Sequence, residues 1–164
     1  MFIAIIVITA LLAWKFADWK NWRKYHSSML FSAIGFLLYC FVYHDHLLLK
    51  FNIASINYHI MALIYMFIVI PLIAFIFLSK YPKGIMKQLI YIFIFVLICT
   101  SVEFILFKMG KFEYQHGWNS IWSIALYSII FSILAIHFKK PVYAFILFTL
   151  GTFLLNGIFP FKLD

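Results

Sequence analysis

The sequence predicts an all-α fold: a polytopic transmembrane helical bundle of about six spans, in a single domain over residues 1–164. Three observations lead there. The chain is 66% hydrophobic and 11% charged, whereas soluble domains run at about 45–50% and about 25%. Its mean hydropathy is +1.05. Its apolar residues come in runs close to the roughly 20 residues that cross a bilayer. Backbone groups in hydrocarbon must pair internally, so the runs are expected as helices.

The apolar segments are 2–18, 27–43, 60–79, 88–108, 120–138 and 142–161. The first is interrupted by Lys15, which can snorkel to the interface while Trp14 and Trp19 sit at headgroup level. MFIAIIVITALLAW has neither a basic n-region nor a small-x-small cleavage site, so no signal peptide is expected. The second segment carries a small and polar stripe, Ser28, Ser32, Gly35 and Tyr39. The third contains Pro71, which predicts a kink. The fourth holds one charge before its end, Glu103, and Gly110 is placed to terminate it in a left-handed conformation. The fifth has Ala125, Ser128, Ser132 and Ala135, and the sixth Thr149, Thr152 and Asn156. Such faces let membrane helices approach closely and hydrogen-bond across, within one chain, a homo-oligomer or a complex with another membrane protein.

Loop charge predicts topology. Lys15, Lys20, Arg23, Lys24, Lys80, Lys83, Lys87, Lys139 and Lys140 fall in the odd loops, against Lys50, Lys108, Lys111 and Lys162 in the even loops and tail. The positive-inside rule then puts the odd loops in the cytoplasm and both termini outside the plasma membrane. The net charge of +8 implies affinity for anionic membrane lipids. Nucleic acid is excluded as a partner, because the cations are split among short loops and form no known module. WKFADWKNWRKYH (14–26) interleaves aromatics with cations; it reads first as an interfacial anchor and second as a headgroup-binding patch. His26 and His137 share that border and read as interfacial. Cys40 and Cys99 lie in apolar runs without metal spacing and read as small apolar fillers.

Glu103 is the candidate centre of function. It lies about 7 Å below the outer border at ~1.5 Å of rise per residue. Counting inward along the other segments brings Tyr39, Tyr65, Ser123 and Asn156 to the same level. Inserting a charge costs about 2.5–3.5 kcal/mol even on the lenient scale, which makes an intramembrane acid a functional candidate by default. The bland alternative is a protonated structural carboxyl bonded to Tyr65 or Asn156. Above that layer lie His44, Asp45 and His46, then Asn57, Tyr58 and His59, then Glu113, Tyr114, His116, Trp118 and Asn119. The expected picture is an outward-facing polar vestibule. Glu103 forms its floor, Tyr39, Tyr65, Asn156 and Trp118 contact the ligand, and His44, His46, His59 and His116 form the rim.

A small ligand, an ion or a lipid headgroup suits that picture. Imidazoles suit zinc, copper, iron or nickel, so a divalent metal is one cofactor the rim could take. Alternatives are a metal-dependent membrane enzyme acting on lipid, which needs three converging ligands and an open position, and a substrate-binding or transport subunit of a larger membrane complex. A purely structural bundle is a further reading. No GxSxG elbow, Walker loop or GxGxxG occurs.

WKNWRKYH, YHDHLLLKF, KYPKG, EFILFKMGKFEYQHGW and IHFKKP, together with Pro71, resemble an uncharacterised family of small multi-pass membrane proteins of spore-forming Gram-positive bacteria. The resemblance runs from about Trp14 to Pro141, and its most specific part is the acid, glycine and Tyr-x-x-Gly-Trp run of 103–118. It implies a Gram-positive plasma membrane and no particular activity.

Overall fold

The computed structural model describes residues 2–44, 47–51 and 58–160. Helix α1 spans Phe2–Phe16 and is followed by a 3-10 turn at Trp19–Asn21. Then come α2 (Trp22–Val42), β1 (Leu49–Phe51) and α3 (Tyr58–Ile64). A π-helical turn, Tyr65–Val69, leads without a break into α4 (Ile70–Ser79). The chain finishes with α5 (Ile85–Lys108), β2 (Phe112–Tyr114), α6 (Ser120–Lys139) and α7 (Pro141–Ile158).

Five helices are long and apolar enough to cross a membrane: Trp19–Val42, Ile60–Ser79, Ile85–Lys108, Ser120–Lys139 and Pro141–Ile158. α1 is shorter, about 22 Å at ~1.5 Å per residue, against a hydrocarbon core of about 30 Å. It packs along α4 and the π turn. Side chains such as Phe67, Phe153 and Leu154 stand about 70% exposed. That much outward apolar surface fits lipid as its solvent. The protein is a multi-pass helical membrane protein.

Segment boundaries move where charges obscure the hydropathy. α2 starts at Trp22 rather than 27, and α5 at Ile85 rather than 88, because helices continue into the headgroup zone, where cations are welcome. Pro71 is absorbed by the π turn just before it, where the backbone N–H of Ile70 reaches Tyr65 O. Proline lacks an N–H and crowds the carbonyl four residues back, and a wider turn relieves both. Gly35 admits the ring of Phe148 from α7, and a Cβ there would lie 3.3 Å from it. The hydroxyls of the small stripes behave differently from expectation. Ser32, Ser128, Ser132 and Thr152 donate to carbonyls of their own helices, so these four serve the backbone rather than helix pairing.

The core is densest where α2, α4, α5 and α6 meet, around fully buried Phe75 and Phe77 with Val96, Phe131 and Leu134. The two ends of the bundle are built differently. At one end Asp18 N donates to Ser79 Oγ at 3.0 Å and Lys139 lies 5.7 Å over the Tyr81 ring, which gathers the cation-rich loops. At the other end β1 and β2 pair antiparallel, Leu49 with Tyr114, Lys50 with Glu113 and Phe51 with Phe112. Two loops distant in the sequence thus form a cap, with the oppositely charged Lys50 and Glu113 in register across it.

Candidate functional site

Glu103 occupies the buried face of α5 that also carries Val96 and Leu106, and it is 5% exposed. Both carboxylate oxygens accept phenol hydrogen bonds. Tyr114 donates to Oε1 at 2.9 Å and Tyr127 to Oε2 at 2.6 Å. The Tyr114 hydroxyl also lies 3.0 Å from Ser120 Oγ. A continuous chain of oxygens therefore runs from Ser120 through Tyr114 and Glu103 to Tyr127. Among the described residues no cation takes part in it. A carboxylate can accept about four such bonds, so acceptor capacity remains.

The local chain explains the arrangement. α5 ends in a Schellman motif, with Gly110 at φ 64°, Gly110 N on Phe107 O and Lys111 N on Leu106 O. This reverses the chain so that β2 lies against the end of α5. Tyr114 then packs its ring 4.8 Å from Phe107 while its hydroxyl reaches the carboxyl. Tyr127 arrives from α6, which packs along α5. α6 itself starts at Asn119, whose Oδ1 accepts from Ile121 N and Trp122 N. Burial raises the Tyr114 phenol above its ordinary pKa; the Ser120 bond lowers it and Glu103 raises it.

Beside this node lies an aromatic cluster. Trp118 is 4% exposed and its Nε1 donates to Ser123 Oγ at 2.9 Å. It packs with Tyr43 and Leu48, and the rings of Trp122 and Phe159 flank it. Between β2 and α6 the chain turns at His116 and Gly117, with φ of 53° and 79°, and Trp118 N closes the turn on Gln115 O. Two positive φ values suit a type I′ turn. The second is a glycine; His116 holds a conformation that costs an L residue roughly 1–2 kcal/mol. His116 also lines a cleft of about 110 Å³ with Tyr43, Leu48, Ile158, Phe159 and Pro160. That is room for a few waters or one small group, at about 30 Å³ per water.

Depth along the sequence pairs Glu103 with Tyr39, Tyr65 and Asn156, but its two hydrogen bonds come from Tyr114 and Tyr127. Tyr39 packs at a tilt on Tyr43, with ring centroids 5.4 Å apart, and belongs to the aromatic cluster around Trp118. Tyr65 opens the π turn, and Asn156 sits near the end of α7. Trp118 is a buried packing residue, with its indole N–H taken by Ser123. Of the four rim histidines, His44 and His116 are described; His46, Asp45 and the side chain of His59 lie outside the described residues. No group of three metal-ligating side chains comes together among the described residues.

His137 is not interfacial. It is 4% exposed, its Nδ1 lies 2.9 Å from Ser28 Oγ, and its ring stacks 4.2 Å from Phe31. Ser28 lies on the buried face of α2 and reaches across to α6.

Compared with protein-family models, characterised proteins and solved structures, the chain matches none.

Proposed function

We propose that the end of the bundle capped by β1 and β2 is a binding end, and that Glu103 is its central acid. The observation that carries this reading is a buried carboxyl held by two hydroxyls and, among the described residues, by no cation. Such a group has acceptor capacity for a proton, a metal cation or a ligand bearing an ammonium or other donor. The strained His116 beside the cleft adds support, since backbone strain in folded proteins concentrates where ligands bind. Tyr114, two residues before His116, joins the cleft wall to the carboxyl. The cation excess at the opposite end favours an orientation in which the cap faces outward from a plasma membrane and both termini lie outside. The resemblance of 103–118 to proteins of spore-forming Gram-positive bacteria favours the same membrane.

A test is thermal unfolding of detergent-purified protein with potassium, magnesium, zinc and tetramethylammonium, for wild type and Glu103→Gln. Stabilisation by one of these that disappears in the variant supports the reading. Equal stabilisation of both proteins, or of neither, rejects it. The second outcome favours a structural reading, in which Glu103 staples the cap to α5 and α6. That reading has its own observation: both oxygens already have partners within the chain.

A further inference from the structure

The opposite end carries a second candidate, built where α1 turns into α2. Residues 20–24 are all exposed and form an open surface at this turn. Three of the five are cations, Lys20, Arg23 and Lys24, flanked by Asn21 and Trp22. We propose that this basic turn binds the phosphate of an anionic phospholipid headgroup.

Three features support a built site over a diffuse charge. The turn is held in shape from several sides. Asp18 N bonds Ser79 Oγ, Trp19 Nε1 bonds Ala13 O at 2.8 Å, and the Trp19 ring meets Phe75 edge-on at 5.2 Å. Next, the only acid of this turn is already engaged. Asp18 accepts from Asn21 Nδ2 at 2.9 and 3.2 Å, and the Tyr25 hydroxyl lies at 3.5 Å. These bonds hold the Asp18 carboxylate on Asn21 and Tyr25, and among the described residues no Lys or Arg of the turn lies at ion-pair distance from it. Lys24 is also positioned: its ammonium stands 5.3 Å over Phe138 and 5.6 Å over Tyr25.

The depth selects a lipid over a soluble anion. Trp14 in α1 and Trp19 and Trp22 in the turn that follows it are all more than 40% exposed, and exposed tryptophans of membrane proteins collect at the headgroup level. A guanidinium can fork onto a phosphate while the lysines act as point charges. Trp22 then offers an amphipathic wall for the glycerol region.

The test is native mass spectrometry of the full chain in detergent, titrated with phosphatidylglycerol or phosphatidylcholine. The comparison is between wild type, the triple variant K20Q/R23Q/K24Q, the single variant R23Q, and K83Q/K87Q, which removes two exposed cations from the neighbouring loop. A cation that acts only through the surface potential contributes about fivefold, and one that bonds the phosphate directly on the order of 20-fold. The triple variant is expected to lose phosphatidylglycerol affinity by more than about 1,000-fold and R23Q on the order of 20-fold. K83Q/K87Q should lose no more than about fivefold per charge. Equal losses per charge in K83Q/K87Q would replace the site with a diffuse surface potential and overturn the proposal. So would displacement of phosphatidylglycerol by excess inorganic phosphate, which would mark a free-phosphate site, or equal binding of phosphatidylcholine.

Discussion

The two ends of the bundle handle charge in opposite ways. At the capped end the critical charge is a single carboxyl, 5% exposed, reached by hydroxyls from a loop and a helix. At the basic end the charges are many and exposed, and several, such as Lys24 and Lys139, stand over aromatic rings. A buried ionisable group depends on every hydrogen bond around it, because little solvent is there to replace a lost partner. Exposed cations are individually dispensable to folding. The capped end should therefore be fragile to single substitutions, and the basic end robust in folding.

The largest effect is expected from Glu103→Ala. It strips two phenols of their acceptor and should cost about 2 kcal/mol of stability, at about 1 kcal/mol per lost bond. Thermal or denaturant unfolding in detergent reads this. Arg23→Gln, in contrast, should leave unfolding within about 0.5 kcal/mol of wild type, as surface substitutions usually do. A smaller loss, about 1 kcal/mol, is expected from Ser28→Ala, which leaves His137 Nδ1 buried without its partner. Adding His137→Phe should restore most of that loss, because the ring contacts with Phe31 remain while the orphaned nitrogen is gone. If Ser28→Ala costs nothing, the contrast between buried pairs and exposed charges is weaker than drawn.

His116→Gly should act in the other direction and raise stability by roughly 1 kcal/mol through relief of the positive φ. If His116 serves binding, the same variant should also lose the ligand-dependent stabilisation, and that split separates a functional strain from an idle one. The smallest effect concerns alkaline pH. Burial raises the Tyr114 phenol, so the folded state keeps the proton better than the unfolded one. Its contribution is full below the ordinary value of 10.0 and is lost as pH climbs from there through the raised value. Tyr114→Phe should flatten that part of the stability profile, measured as unfolding midpoint against pH.

Much of the fold was legible because hydropathy reports solvent directly. The spans, the Schellman glycine at 110 and the grouping of cations at one end all follow from composition along the chain. Helix starts were less legible, since WRKYH looks like loop by hydropathy and yet forms the first turns of α2. Glu103 stood out as an acid within an apolar run, but its partners did not. Counting residues fixes the height of a side chain in the membrane and says nothing of its direction around the helix axis. Tyr39 and Tyr65 share a layer with Glu103 by height, while Tyr127 faces it across the α5–α6 contact and Tyr114 arrives on a reversed loop. The signal available for Tyr114 is its place in the Tyr-x-x-Gly-Trp run, where the glycine and histidine of the turn set the end of the strand. His137 was misread for a related reason. Its neighbours Lys139 and Lys140 mark the interface, but the helix turns His137 inward against Ser28 and Phe31.

The most direct test of the capped end is a double-mutant cycle between Glu103→Ala and Tyr127→Phe, with unfolding free energies measured in detergent. If the carboxyl–phenol node holds α5 to α6, removing both groups should cost less than the sum of the single losses by about 1 kcal/mol, within the 0.5–3 kcal/mol range of contacting pairs. Strict additivity would mean that the two side chains do not act on each other, and the node would no longer serve as the centre of the site.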